Sequence, residues 1–391
     1  MKSEWYVSTI DDVCLLVTDG AHNSPPSVEN GEYMASVKDF AEYGFDFSTC
    51  KRISSEDYSK LEKQGCVPNI GDVLVGKDGA RYFEDIVIYK QPERPALLSS
   101  IAILRVNPEI ITSEFLYYTL KSPAVKKDVR DNYGSGSAIP RIVLKDFKRM
   151  PIRYPSIEDQ RKITLIFEAI DAKIDLNNRI NDNLEQQARA LYQRMFIDNP
   201  VSGGYMGTLS DIADITMGQS PNGSSYNEDG NGAVFFQGRA EFGFRFPSVR
   251  LYTTEPKRMA CANDTLMSVR APVGDLNVAY TDCCIGRGLV AIHSKSNQQS
   301  FVLYTMFSLH KQLDVFNGEG TVFGSINRTS LTELPIFIPS DREIVKFEAI
   351  VAPIDAAIRN NYEEICRLEK IRDALLPKLI SGELDVSAVE L

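Results

Sequence analysis

Histidine is nearly missing from this chain. His22, His293 and His310 are the only three, scattered across 391 residues, so neither a histidine-based metal cluster nor a Ser-His-Asp or Cys-His arrangement can be assembled from them. Cysteine is also uninformative as chemistry. The seven are odd in number and no Cys-x-x-Cys occurs, which disfavours a disulfide framework and a zinc site alike. The adjacent Cys283-Cys284 reads as buried strand rather than a ligand pair. No run of about 18 apolar residues exists that could cross a membrane, and the opening Met1-Lys2-Ser3-Glu4-Trp5 carries no apolar signal core. The expectation is an intracellular, cytoplasmic protein with no membrane partner.

Nucleotide and nuclease motifs fail in the same way. Gly71-Asp72-Val73-Leu74-Val75-Gly76-Lys77-Asp78 approaches a phosphate loop, but Asp78 stands where Ser or Thr should hold magnesium and the loop is a Val-Leu-Val strand. Gly286-Arg287-Gly288 lacks the third glycine of a dinucleotide fingerprint. Asn23-Ser24-Pro25-Pro26-Ser27 is not a base-cradling Asn-Pro-Pro-aromatic loop, and Glu255-Pro256-Lys257 has no partnered upstream carboxylate. The chain reads as non-catalytic, with no metal, nucleotide or other cofactor of its own.

What is present is duplication. Phe167-Glu168-Ala169-Ile170 recurs as Phe347-Glu348-Ala349-Ile350, and Ile174-Asp175 as Ile354-Asp355, in each case 180 residues later. Gly134-Ser135-Gly136-Ser137 with Ile142 and Met150-Pro151-Ile152 recurs as Gly318-Glu319-Gly320-Thr321 with Ile326 and Leu334-Pro335-Ile336, at an offset of 184. Phe115-Leu116-Tyr117-Tyr118 resembles Phe301-Val302-Leu303-Tyr304, Gly71-Asp72-Val73-Leu74 resembles Asn263-Asp264-Thr265-Leu266, and Ile10-Asp11-Asp12-Val13 resembles Leu209-Ser210-Asp211-Ile212. The same order of elements in both halves, with different residues between them, predicts one scaffold carried twice with approximate twofold symmetry.

Each half reads as mixed α/β. Val73–Val75, Ile86–Tyr89, Ile101–Leu104 and Leu289–Ile292 are short β-rich runs between turn residues, and the segments at Phe115 and Phe301 have helical periodicity. Each half ends in a long helix. Ser156 with Asp159, and Ser340 with Glu343, are capping signals. The first helix keeps 4-3 spacing through Ile163, Phe167, Ile170, Ile174, Asn177, Asn181, Leu184, Ala188 and Leu191; the second through Ile344, Phe347, Val351, Ile354, Ile358, Asn361, Ile365 and Leu368. Sustained heptads predict a coiled-coil seam, with Asn181 and Asn361 at matched positions fixing register. Pro353 is expected to interrupt and kink the second helix, and residues 198–204 read as a linker. The resulting division is residues 1–154, 155–197, 198–338 and 339–391: globular block, helix, globular block, helix with tail.

These features resemble the specificity subunit of type I restriction-modification enzymes. The resemblance rests on the duplicated blocks closed by Met150-Pro151-Ile152 and Leu334-Pro335-Ile336, and on the helix opening Pro155-Ser156-Ile157-Glu158-Asp159-Gln160 with its looser counterpart from Pro339. It rests further on the terminal Arg372-Asp373-Ala374-Leu375-Leu376-Pro377-Lys378-Leu379-Ile380-Ser381-Gly382-Glu383-Leu384. It implies two tandem target recognition domains joined by two long antiparallel coiled-coil helices. Each domain would read half of a bipartite, asymmetric site in double-stranded DNA. The helices would set the spacer and dock two methylation subunits, which carry S-adenosylmethionine; restriction subunits, which carry ATP and Mg2+, join that core. The subunit itself is then not an enzyme but part of an adenine methyltransferase and ATP-dependent endonuclease acting in phage defence.

An excess of ten acidic charges argues against nucleic acid only if charge is spread evenly, and here base gathers at Arg130–Arg153 and Arg239–Arg258. Base edges are read by Arg, Lys, Gln and Asn on loops from a rigid sheet. In the first half the candidates are His22, Asn23, Lys38, Lys77, Arg81 and Arg141. In the second they are Gln219, Gln237, Arg239, Arg270 and Arg287. The helix residues expected to form the spacer and docking surface are Phe167, Ile170, Ile174, Asn181 and Leu184 with Phe347, Ile354, Asn361 and Leu368. Competing readings are a protein-only adaptor, separable by its lack of salt-sensitive DNA binding, and a stand-alone nuclease or methyltransferase, separable by activity of the pure chain.

Overall fold

The computed structural model describes residues 4–41, 44–134, 140–198, 203–318 and 324–387. Ser135–Ser137, Glu319–Thr321 and the linker residues Asn199–Ser202 lie outside them. The chain packs as two compact units, one of Met1–Asp175 with Ile365–Leu391 and one of Leu176–Glu364. This differs from the four-part division at 154/155, 197/198 and 338/339. The unit boundaries fall inside both long helices, because each stretch of helix buries its apolar face in the core of its own unit instead of standing apart from it.

The first unit is built on a four-stranded antiparallel sheet in the order Cys14–Asp19, Ile101–Val106, Val73–Gly76, Ile86–Ile88. Three of these strands were legible as β-rich runs, and the central Ile101–Leu104 is completely buried, as a strand covered on both faces must be. Beside it lie a three-stranded sheet, Lys51–Ile53, Glu32–Ala35, Ala96–Leu97, and a pair joining Tyr6–Thr9 to Pro151–Tyr154. Helix Ser113–Lys121 starts where the Thr112 hydroxyl accepts the Phe115 amide at 3.1 Å and brings Phe115 and Tyr118 into the core.

The second unit repeats that order. Its sheet runs Ala213–Met217, Leu289–Ser294, Thr265–Ser268, Leu276–Val278, again antiparallel, and Tyr205–Thr208 pairs with Pro335–Ile338. A five-stranded sheet, Tyr226–Asn227, Leu251–Thr253, Ala233–Phe236, Cys283–Ile285, Met259–Ala260, takes the place of the three-stranded one. Both accessory sheets contain one parallel pair, Met34 beside Ala96 and Phe235 beside Cys284. Cys283 and Cys284 are fully buried in strand, and burial, followed by the nearby Asp264 carboxylate, pushes the Cys283 thiol up to about 12.

The two long helices are Ile157–Tyr192 and Asp341–Ile380, roughly 54 Å and 60 Å at 1.5 Å per residue. The expected interruption at Pro353 does not occur. The second helix is continuous there; proline removes one backbone donor, and the turns on either side, anchored by the buried Val351 and Ile358, carry the helix through. The first start signal is realised, with the Ser156 hydroxyl accepting the Asp159 amide at 3.2 Å. The second is not: the Glu343 carboxylate accepts from Lys346 instead. Within the second unit the helices run antiparallel. Asn361 donates to Asn181 at 2.9 Å, and Asn177 donates to Glu364 at 2.8 Å. Within the first unit, Arg372 of the second helix donates to Asp171 of the first at 3.0 Å.

Seam residues are buried as their spacing requires. Phe167, Ile174 and Phe347 are in the core, Leu184 and Ile354 pack against it, and Ile170 and Leu368 are half-buried. The helix ends with Leu376, Leu379 and Ile380 in the first unit's core. Gly382 then takes φ +77, and any side chain there would meet the Trp5 ring.

Candidate nucleic-acid interface

In the first unit, strand Cys14–Asp19 runs into Gly20, where a Cβ would stand 2.2 Å from the Leu97 carbonyl oxygen. Only glycine lets the chain pass so close to the 97–101 turn. The Ala21 amide then donates to Leu97 at 2.7 Å and the Ser99 amide to Ala21 at 2.9 Å. His22 and Asn23 follow at once, both exposed. The His22 ring lies 3.4 Å from Asp19.

Arg141 is brought to the same place by backbone pairing. It bridges Asp78, and the Ile142 amide donates to the Lys77 carbonyl at 2.9 Å. Lys38 sits on the short turn Val37–Asp39, whose Asp39 carboxylate accepts the Ser36 amide at 2.7 Å. The Leu98 amide donates to Ala35 at 2.9 Å, which ties the strand leading to that turn to the same sheet end. Arg81, on the turn after Val73–Gly76, is exposed and held by Asp85 at 2.7 Å. Lys38 and Arg141 are exposed and make no ion pair among the described residues.

Lys77 needs correction as a surface contact. Its side chain is 7% exposed, with the amine 3.3 Å from Asp19 and 3.4 Å from Asp78. It sits directly after a central strand, so its stem runs inside the domain and its charge is used there. Lys77 holds the loop that carries His22; it does not present a charge to solvent.

The second unit has the same geometry with other residues. Gly218 stands where Gly20 does, its would-be Cβ 2.1 Å from the Gly286 carbonyl oxygen. The Gln219 amide donates to Ile285 at 3.0 Å, the Gly286 amide to Phe236 at 2.8 Å, and the Arg287 amide to the Ser220 hydroxyl at 3.2 Å. A Cβ at Gly286 or Gly288 would meet the Gln237 backbone at 2.8 or 2.9 Å. The Val269 amide donates to Gly288 at 3.0 Å, which sets Arg270 next to the same turn.

Gln219, Gln237, Arg270 and Arg287 are therefore gathered around Gly286–Gly288, all exposed. Arg270 and Arg287 make no ion pair among the described residues. Arg239 opens the turn Arg239–Glu241 two residues past Gln237 and is paired to Asp275. It lines a cleft of about 710 Å³ with Arg189, Phe244, Phe307 and His310, where the Arg189 guanidinium lies 3.6 Å above the Phe307 ring.

Two contributors escaped the sequence reading. Ser325 bridges Arg270 as Arg141 bridges Asp78; the 184-residue offset already placed it opposite Arg141, but a serine had not drawn attention. Arg189 lies on the first long helix, and nothing in heptad spacing points to its stacking on Phe307. Among the described residues no group of three His, Cys, Asp or Glu could hold a metal ion, and no helix is long and apolar enough to cross a membrane.

The helix contacts carry the clearest electrostatic effects. Glu348 of the second long helix accepts the Ser300 and Phe301 amides at 3.2 and 3.0 Å, capping helix Gln299–Ser308. Burial pushes its carboxyl up, while those amides pull it down. Burial also raises the Tyr118 hydroxyl, which donates to Asp171 at 2.7 Å.

The sequence matches the "Type I restriction modification DNA specificity domain" over residues 2–186. It is similar along nearly its whole length to two proteins of Methanocaldococcus jannaschii. One, a putative type I restriction enzyme MjaX specificity subunit, is 26% identical over 99% of this chain and 95% of its own. The other, the type I restriction enzyme MjaIX specificity subunit, is 25% identical over the same shares. The fold is that of the crystal structure of a type I restriction-modification system S subunit from M. genitalium, at a TM-score of 0.57 and 16% identity over 96% of each chain.

Proposed function

From the premise that this chain belongs to the type I restriction-modification specificity subunits, which recognise DNA sequence and are not themselves catalytic, we propose that each of its two units reads one half of a bipartite, asymmetric site. The observation that carries this is the repeated sheet end. One backbone device, a glycine passing under a turn, presents two different sets of side chains: His22, Asn23, Lys38 and Arg141 in one unit, Gln219, Gln237, Arg270 and Arg287 in the other. Similar scaffolds with different donors and acceptors suit two different half-sites, since phosphate contacts fix register and base-edge contacts specify.

The paired helices act as spacer and dock, in this reading. Their seam is closed by the Asn181–Asn361 hydrogen bond, a device that selects one register of a coiled coil. Their outer faces keep exposed apolar side chains, among them Leu165 and Ile371 in one unit and Ile180, Val345 and Ile350 in the other, which suits them to receive two methylation subunits. Those subunits would bring S-adenosylmethionine, and restriction subunits ATP and Mg2+.

The test is the methylation pattern of the complex assembled with methylation subunits. Adenine methylation should appear at one bipartite sequence and require this chain. Replacing Gln237 and Arg239 together by Ala should relax bases in one half-site only, each lost bidentate contact costing roughly 1–3 kcal/mol of discrimination. Equal loss at both half-sites would overturn the modular reading.

A further inference from the structure

The second unit contains a buried ion cluster that surface reading does not require. Arg245 follows the turn Arg239–Glu241 and is 4% exposed. Its Nη2 lies 3.1 Å from Glu185 on the first long helix and 3.5 Å from Asp355 on the second. The same nitrogen donates to the Tyr304 hydroxyl at 3.1 Å, and that hydroxyl donates to Asp355 at 2.9 Å. Its Nε and Nη1 are buried with no hydrogen-bond partner. A guanidinium desolvated and only partly satisfied is a poor source of stability, so stability does not explain it.

Its place in the chain does suggest a use. The segment from Arg239 to Arg250 is tied to its own sheet at two points, Asn277 donating to the Gly243 carbonyl at 2.8 Å and the Val278 amide to the Arg245 carbonyl at 2.8 Å, and is closed on itself by Arg250 donating to the buried Glu241 at 2.8 Å. The Arg245 side chain adds a tie to both long helices. The first unit builds the corresponding Tyr-Asp-Arg contact differently. There Tyr118 and Arg372 both donate to Asp171, and the arginine comes from the second long helix instead of a reading segment.

We propose that Arg245 is a positioning residue for DNA reading by the second unit, joining the Arg239 segment to Glu185 and Asp355 so that its aim depends on the register of the two helices. A one-residue slip of either helix moves its carboxylate by about 1.5 Å along the axis, enough to break contacts of this length. In the first unit the arginine that meets Asp171 comes from the second long helix itself. This inference rests on the reading of the Arg239 surface as a DNA contact, and the experiment separates the two.

The experiment measures base preference at every position of both half-sites, using the complex with methylation subunits on a randomised DNA library. Arg245→Met should weaken preference in the half-site that Arg239→Ala weakens, by about five-fold or more, and leave the other unchanged. The double variant should lose no more than Arg239→Ala alone, Arg245→Lys should recover part of the preference, and Arg372→Met should leave both profiles as in the parent. Should Arg245→Met fail to fold, Asp355→Asn, which keeps the shape, must shift the same half-site to a smaller extent. A folded Arg245→Met or Asp355→Asn protein with a lowered unfolding midpoint and unchanged profiles overturns the proposal while the DNA reading stands. If Arg239→Ala itself changes no preference, the reading of this surface falls and the coupling falls with it.

Discussion

Lys77 and Arg287 are both basic and both close to a sheet end, yet one is buried and the other exposed. The difference lies in Asp19, which belongs to another strand and meets Lys77 only after the sheet has formed; no local pattern around Lys77 announces it. Arg287 sits between two glycines packed against the Gln237 backbone, and its own side chain is left at the surface. Removing Lys77 should therefore act on stability. Lys77→Met removes the amine beside the largely covered Asp19 carboxylate, leaving only His22 near it, and should cost about 3 kcal/mol in urea unfolding, while the bases preferred by the surviving complex stay the same. Asp355 makes a second prediction, of pH. Burial raises its carboxyl above the ordinary aspartate value, and Arg245 pulls the other way without cancelling this. The protonated form thus favours the folded state; that contribution is fully present below the ordinary aspartate range and disappears as pH rises through the raised native value. In Asp355→Asn the corresponding slope in a series of unfolding midpoints should flatten, and a slope equal to the parent's would show that another group is responsible.

Among the elements, the long helices were the most legible, since the 4-3 spacing of large apolar residues has one physical solution. Phe347 shows why: it is fully buried among Tyr192, Phe196, Phe301 and Tyr304, with ring centroids 5.4 to 6.4 Å away. Phe347→Ala should destabilise the second unit by about 3–5 kcal/mol, read as a drop in the unfolding midpoint. What sequence misjudged here was local chemistry that tertiary packing overrode. Pro353 does not break a helix whose neighbouring turns are buried, and Glu343 serves Lys346 instead of the helix start. Apart from Cys283-Cys284, the small accessory sheets were not legible, because strands of two to four residues leave little periodicity to read. If the helices are the spacer, removing one heptad from each in register shortens each by roughly 10 Å. The unspecified stretch between half-sites should then shrink by about three base pairs at 3.4 Å each, as mapped by methylation; an active variant with the original stretch would count against the spacer.

For the molecule as a whole, the net acidic charge and the exposed arginines at the two sheet ends make opposite demands on a DNA partner, and only the local charge can win at contact distance. Binding by the assembled complex should weaken steeply as salt rises, through release of counterions from phosphates; affinity independent of salt would favour a protein-only partner. The division into units carries one more consequence. The second unit is a single unbroken stretch, whereas the first is closed only when Leu376, Leu379 and Ile380 join residues from the other end of the chain. During synthesis those side chains are made only after the whole sequence of the second unit, so the last part of the first unit's core is supplied after the second unit's chain is complete.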